Sequence, residues 1–333
     1  LNLATVKFNV SGWSNYSIGE GPSNELSDCA NLDKAGEYSL SGDVEAATTC
    51  FNITADNVTL DCGAHIITGK QAGYGVNATG VQDFILKNCR ITNFSRAIHV
   101  YSTNSSLFEN NTLYENNGSH SGILMNLSFS NNITDSNISF NHGPTNAGVY
   151  LDKTNSSTVE NNIFDSNNAT KNGDIEGGGI LGLRKSCLGN FTNNNFTNNY
   201  VNVTGGNYIS GGAILGLYDS NSNNFTTTTL TNNTASADYI SGGGILGLYD
   251  NSDSNTFTTT TLTNNTASAD DIYGGAILGL YDSNSNNFTT TTLTNNTASA
   301  YYIYCGGILG LDNSDSNTFT STILTNNTAS ADD

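Results

Sequence analysis

The chain has 333 residues, with 10 Lys+Arg against 29 Asp+Glu and a formal net charge of −19. Such a field repels nucleic acid and anionic lipid, so neither is expected as a partner, and it draws divalent cations instead. No apolar run approaches the ~20 residues that span a bilayer, and from Ser186 to Asp333 there is no Lys, Arg or His at all.

The chain opens at Leu1 with neither an initiator Met nor a signal peptide, which leads us to expect a processed, extracellular or cell-surface form. Residues 1–45 read as an N-terminal cap. Asn-x-Ser/Thr sequons are dense, roughly two dozen along the chain. Asn15, Asn57, Asn77, Asn104, Asn117, Asn132, Asn168 and Asn202 are candidates to carry N-linked glycans. From 46 to 183 the chain reads as irregular coils. Val58-Thr59-Leu60-Asp61-Cys62, Phe84-Ile85-Leu86-Lys87 and Val159-Glu160-Asn161-Asn162-Ile163-Phe164 are strand-then-turn units, recurring mostly in the low-to-mid twenties.

From 184 to 333 the repeat is regular. Gly211-Gly212-Ala213-Ile214-Leu215-Gly216-Leu217 recurs at 242–248, 274–280 and 305–311, with spacings of 31, 32 and 31. Each copy leads through a polar turn and a Phe-Thr-rich stretch into Leu-Thr-Asn-Asn-Thr-Ala-Ser. A period of 20–50 residues means a solenoid, propeller or array. The units are rich in Thr, Asn and Gly and carry no 3.6-residue apolar stripe, which excludes helical solenoids. Two or three short strands per ~31 residues suit one β-helix coil, with coils ~4.8 Å apart. The predicted fold is all-β: a right-handed single-stranded parallel β-helix, its C-terminal half a regular repeat array. Equivalent residues Leu217, Leu248, Leu280 and Leu311 should form one internal ladder.

Six cysteines suit an oxidising compartment. Four clustered ones allow three connectivities. Cys29–Cys50 with Cys62–Cys89 is favoured, because the latter pair lies about one coil apart. Cys187 and Cys305 lie too many coils apart to pair with each other. None shows zinc-ligand spacing.

The stretch Gly36-Glu37-Tyr38-Ser39-Leu40 … Cys50-Phe51-Asn52-Ile53 … Val58-Thr59-Leu60-Asp61-Cys62-Gly63-Ala64-His65 resembles the start of archaeal surface β-helix proteins. The later Asn-Asn-Ile/Leu coils resemble the carbohydrate-binding and sugar-hydrolase repeats of the pectin-lyase-like superfamily. That resemblance implies the fold; the superfold hosts lyases, hydrolases, adhesins and inert surface proteins alike. The overall profile is also similar to sheath and surface-layer proteins. In the lyases it implies, clustered carboxylates hold calcium beside an Arg or Lys base; in the hydrolases, paired Asp residues protonate and attack the glycosidic bond.

The bases here are Lys70, Lys87, Arg90, Arg96, Lys153, Lys171, Arg184 and Lys185, and Arg90 and Arg96 flank one coil near Asp83. We read them as solvated turn residues and expect no enzyme. The array itself has no base for acid–base chemistry at neutral pH. Asp219-x-Asn221-x-Asn223 and Asp282-x-Asn284-x-Asn286 copy half of a calcium loop without its central Gly or closing Glu. Asp219, Asn221, Asp282 and Asn284 are thus weak calcium candidates, with no other cofactor expected. The same residue types are ordinary turn formers.

The pairs Asn232-Asn233, Asn264-Asn265, Asn295-Asn296 and Asn326-Asn327 should stack as amide ladders. They are also sequons, and a buried ladder Asn cannot carry a glycan, so we expect the ladder to prevail. Runs such as Thr226–Thr229 should form outward ranks. Strand alternation puts Ile214, Ile245, Ile277 and Ile308 on an external stripe flanked by Tyr218, Tyr249 and Tyr281, unless the nine-residue loops fold back over it. These residues are the interface candidates of a self-assembling sheath, layer or filament whose partners are copies of itself. The rivals are a polysaccharide-active enzyme and a glycan-binding adhesin. An enzyme predicts an acidic–basic cluster in a cleft on the 51–183 coils; an adhesin predicts an aromatic-lined groove there.

Overall fold

The computed structural model describes residues 24–332; most of the expected cap, with the sequon at Asn15, lies outside them. Every element among these residues is a strand. Strands pair in parallel from coil to coil, as in Leu215–Tyr218 on Leu246–Tyr249. An 11-stranded front sheet runs from Asn31–Leu32 to Leu309–Asp312, and a 20-stranded back sheet takes two short strands or one bent strand from most coils. A third sheet begins only at His142–Gly143.

The coil must turn several times per revolution, and from Ser102 onward most of its corners share one pattern. An exposed or half-exposed residue adopts the left-handed conformation, and the next residue points a polar side chain inward; on the earlier coils that inward residue is Val58, Phe84, Cys89 or Phe94. Asn232, Asn264 and Asn295 have φ of 56°, 54° and 54°, while Asn233, Asn265 and Asn296 are fully buried. Asn tolerates positive φ at small cost, which explains the first member of each pair. The second satisfies corner backbone groups that no water reaches. Asn265 Nδ2 donates to Leu230 O at 2.8 Å and to Asn296 Oδ1 at 3.0 Å, and its own Oδ1 accepts from Asn233 N at 2.9 Å. The glycan and ladder readings therefore do not compete. The sequon asparagine is the outward first member, and the ladder is built from the second.

This column also measures coil length. Its hydrogen bonds step from Phe94 to Asn116 across 22 residues, then across 25 and 26. The steps from Asn167 onward are 32, 34, 32 and 31 residues. The 31- and 32-residue sequence periods are thus the true register, and the third sheet takes up the added residues.

Inside the coils, like stacks on like. Leu217, Leu248 and Leu280 are buried in the predicted ladder. Leu311 continues its register on the last coil and is 38% exposed there, since no further described coil covers it. Phe191, Phe225, Phe257, Phe288 and Phe319 stack with centroids 4.5–4.8 Å apart. Cys29–Cys50 and Cys62–Cys89 are disulfides whose Cα atoms, 4.7 and 4.8 Å apart, sit on neighbouring coils. Cys187 and Cys305 are free thiols.

The threonine runs form outward ranks at Thr226, Thr227 and Thr229 and their counterparts, and depart from the expectation only at the third threonine, which turns inward. Thr227, Thr259 and Thr290 occupy the left-handed corner at φ of 54°, 58° and 56°, where a β-branched residue is strained. Thr228, Thr260 and Thr291 point inward, and their hydroxyls have no hydrogen-bond partner. On the preceding coils the same corner is Asn161-Asn162 and Asn193-Asn194, with Asn162 Nδ2 donating to Asn194 Oδ1 at 3.2 Å.

Asn265→Ala should lower unfolding free energy by about 2–4 kcal/mol, since it orphans several buried groups, while Asn264→Ala should cost about 1 kcal/mol. Chemical denaturation of the two variants checks the contrast. Restoring the asparagine corner with Thr227→Asn and Thr228→Asn should stabilise by about 1–2 kcal/mol, by relieving strain and extending the ladder. A lower midpoint in the same assay would count against this account of the corner.

Candidate functional site

Because strands stack in register, outward residues of the front sheet form columns along the helix axis. One column reads Asn52, Asn77, His99, Leu124, Tyr150, Gly182, Gly216, Gly247, Gly279. Its neighbour reads Tyr101, Asn126, Asp152, Arg184, Tyr218, Tyr249, Tyr281, Asp312. The glycines are where the third sheet closes down on the front one: a Cβ at Gly216 would run into the carbonyl oxygen of Gly211. This close approach turns the Gly-Gly segments into a wall beside the tyrosine column.

The wall starts abruptly. Coils jump from 26 to 32 residues at Asn167, so the segment Lys171–Glu176 projects beside the shorter coils that precede it. The step leaves a cleft of about 490 Å³ lined by His120, Leu124, Asn126, Tyr150, Asp152, Lys171, Asp174, Glu176 and Arg184. Arg184 is its hub. Its Nη1 lies 3.3 Å from Asp152 Oδ1, and its Nε lies 3.2 Å from Glu176 Oε2. Asp152 also accepts from Asn126 Nδ2 at 2.8 Å. Burial works against the Arg184 charge, but Tyr150, Asp152 and Glu176 outweigh it and hold its pKa above the ordinary value. The Tyr150 hydroxyl donates to the Glu176 carbonyl oxygen at 3.1 Å, and burial pushes its pKa up. The His120 ring packs 5.0 Å from that of Tyr150.

Asp174 and Glu176 also line a second cavity of about 470 Å³, so the two adjoin at these residues along the axis. Tyr218, Tyr249 and Tyr281, stacked at 5.5 and 5.1 Å, form one side, and Tyr208, Ser210, Ser241 and Tyr273 the other. Burial, with Asp250 and Glu176 close by, pushes the Tyr218 pKa up to about 12.

Other expected site residues fall elsewhere. Ile214, Ile245 and Ile277 are fully buried and Ile308 partly so, which corrects the external stripe. The chain bends at 213–214, alternation starts only at Leu215, and the isoleucine turns into the core. Tyr218, Tyr249 and Tyr281 do point outward, as groove lining. Arg90 and Arg96 sit on different sheets, so no cluster with Asp83 forms. Arg90 lies over Tyr114, and Arg96 lies over Tyr74 and donates to His120 O at 2.9 Å. The amide oxygens of Asn221 and Asn284 accept from Asp253 N and Asp315 N at 2.7 and 2.6 Å, an inter-coil turn ladder, and Asp219 lies 4.0 Å from Lys185. Asp282 occupies a left-handed corner at φ 45°. Among the described residues no three His, Cys, Asp or Glu converge as a metal site. Asn57, Asn117 and Asn132 are exposed; Asn77, Asn104, Asn168 and Asn202 are half-buried. Asn77 is bonded on both sides, to Asn52 and His99. Among the described residues no helix is long and apolar enough to cross a membrane.

Residues 45–201 match the family model described as right handed beta helix region. With the parallel coils above, this establishes the right-handed parallel β-helix. No curated protein matches the sequence. Among solved structures, the catalytic domain of a GH87 α-1,3-glucanase in complex with nigerose is 13% identical, covering 93% of this chain and 60% of its own, with a TM-score of 0.48. The DFA-IIIase of Arthrobacter chlorophenolicus A6 is 11% identical over 85% and 71%, TM-score 0.44. The exopolygalacturonase of Thermotoga maritima is 13% identical over 87% and 74%, TM-score 0.41. At these values the likeness concerns fold alone. The expectation of a non-catalytic chain is not upheld: the solved structures that share the fold include carbohydrate-active enzymes beside a surface adhesin of Streptococcus pneumoniae, and an acidic–basic cluster lies in a cleft at Asp152, Glu176 and Arg184.

Two histidines of this face give a pH signature. Burial, reinforced by Arg96, holds His99 down to about 4; burial, then Arg96, Lys171 and His99, does the same to His120. Between the ordinary 6.5 and about 4 the unfolded chain binds protons that the folded one does not. Stability should therefore fall as pH drops through that window. Unfolding midpoints recorded across it should show a shallower decline for His120→Gln than for the unaltered chain.

Proposed function

We propose that the protein acts outside the cell on a polysaccharide chain laid along this groove. The observation that carries the reading is that the two cavities share Asp174 and Glu176 as lining. A cluster of carboxylates and cations thus adjoins a tyrosine-walled recess that runs along the axis, across the stacked coils. Tyrosine offers an apolar ring face and a polar edge, which suits a sugar ring's CH face and hydroxyls. Breaking a glycosidic bond requires one group to protonate the leaving oxygen and another to activate water or attack the sugar. Asp152, from the front sheet, and Glu176, from the third, approach Arg184 from two elements and are the residues we assign to proton transfer. Arg184 fixes both. His120 and Tyr150 close the far side of the cleft. Two disulfides suit an oxidising, extracytoplasmic setting.

The sheath-forming reading took its lateral contact from the Ile214 stripe, which is buried. The groove reading takes its place.

Release of reducing ends from a panel of soluble polysaccharides tests the proposal. Glu176→Gln and Asp152→Asn should each cut turnover by about 100-fold or more while the variants still bind. Paired Tyr218→Ala and Tyr249→Ala should weaken retention in affinity electrophoresis. Retention without cleavage by any preparation would leave an adhesin and remove the catalytic half. No retention on any glycan would overturn the proposal.

A further inference from the structure

The array half of the groove has a charge pattern that selects among polysaccharides, and this selectivity rests on the glycan-binding reading. Beyond Lys185 the sequence contains no Lys, Arg or His, so no cation lines the groove from Tyr208 to Tyr281. Two carboxylates do, Asp174 and Glu176, and three more adjoin its tyrosine column: Asp250 and Asp282 directly follow Tyr249 and Tyr281, and Asp312 continues the column below Tyr281. Behind burial, Asp250 helps raise the pKa of Tyr218 and Tyr249, and Asp282 and Asp312 that of Tyr281. Coil after coil, a half-buried tyrosine is thus accompanied by an aspartate, because Tyr218-Asp219, Tyr249-Asp250 and Tyr281-Asp282 stack in the same register. The cations at the mouth are already engaged. Arg184 is held by Asp152 and Glu176, and Lys171 Nζ donates to Asp174 O at 2.6 Å.

We propose that the groove is selective for a cationic glycan, a polymer of amino sugars with free amines, and rejects uronate polymers. An ammonium group is attracted to a tyrosine face and to a carboxylate at once, whereas a uronate would bring like charge into an acidic channel. A neutral sugar gains only the aromatic contact.

The test compares the intact chain on immobilised chitosan, on its N-acetylated form and on polygalacturonate. Retention should follow that order and should weaken with salt. The whole molecule is acidic, so nonspecific attraction to a polycation must be separated from groove binding. Asp250→Asn with Asp282→Asn should lower affinity for chitosan about five- to tenfold, two partly exposed ion pairs being lost. Asp253→Asn with Asp315→Asn removes the same charge from turns where the other coils carry Asn221 and Asn284, and should change affinity less than twofold. Equal losses from the two pairs of substitutions would mean polyelectrolyte attraction alone and overturn the selectivity. So would equal retention on polygalacturonate. If the N-acetylated polymer binds as well as chitosan, and Tyr218→Ala with Tyr249→Ala abolishes both, the groove stands as a glycan site and only the charge selectivity fails. Loss of all retention on every polymer would instead remove the glycan reading itself.

Discussion

In-register parallel stacking is the constraint on which every other feature of this molecule depends. Each coil hydrogen-bonds to the next with residue on equivalent residue, so any side chain is surrounded above and below by its own counterparts. Where counterparts are Leu or Phe, this gives a dry, uniform core. Where they are polar and inward, each must satisfy its neighbour. The buried asparagine column manages this because an amide both donates and accepts, so one residue can hand the pattern on indefinitely. At the same corner the Thr228, Thr260 and Thr291 hydroxyls have no partner, whereas the Ser136 hydroxyl, three coils before Thr228, accepts from Asn111 N at 3.1 Å. The inward asparagine and the left-handed residue before it are thus two halves of one corner device.

The same constraint builds the outer surface. A regular solenoid has no clefts, since each coil repeats the outline of the one before. A recess needs a change of outline, and here it comes from coil length. The residues added at the 26-to-32 step extend the third sheet, begun one coil earlier at His142–Gly143, and lean along the front sheet. At the step itself the overhang meets shorter coils and leaves the Arg184 cleft; further along it keeps a constant distance and leaves a channel. Glycines at 182, 216, 247 and 279 are the sequence's accommodation to that overhang, because any larger residue would collide with the fold-back strand.

Much of this was legible from residues alone. The 31- and 32-residue spacing of Gly-Gly-x-Ile-Leu-Gly-Leu is the register itself, the Leu217 ladder follows from alternation, and the Cys62–Cys89 pair follows from one coil of separation. What stayed hidden depended on quantities a period does not contain. Ile214 was placed outside because alternation was run from Ala213 through a bend at 213–214, whereas the strand starts only at Leu215. The twin asparagines were treated as one site, whereas a left-handed φ at the first turns successive side chains to opposite sides of the wall. The Asp152–Arg184–Glu176 cluster joins residues 32 and 8 positions apart. The first spacing is a neighbouring-coil contact only once that coil is known to hold 32 residues rather than the twenty-odd of its predecessors. A jump in the spacing of the Asn-Asn corners was the available signal.

The contrast between irregular and regular halves also bears on how a long ligand would be placed. Along Tyr218, Tyr249 and Tyr281 every coil offers the same contacts, so a polymer lying there would gain affinity through many weak, equivalent interactions without being held at one position. Sliding by one coil costs such a ligand little. Fixed placement requires something that occurs once, and the length step occurs once, with Arg184, Asp152 and Glu176 upon it. Near-identical repeats and a single irregular coil are therefore complementary. For such a ligand the repeats would raise the local concentration of chain beside the cleft, and the cleft would decide which bond lies over the carboxylates. A solenoid assembled only from copies of the array would keep the first property and lose the second.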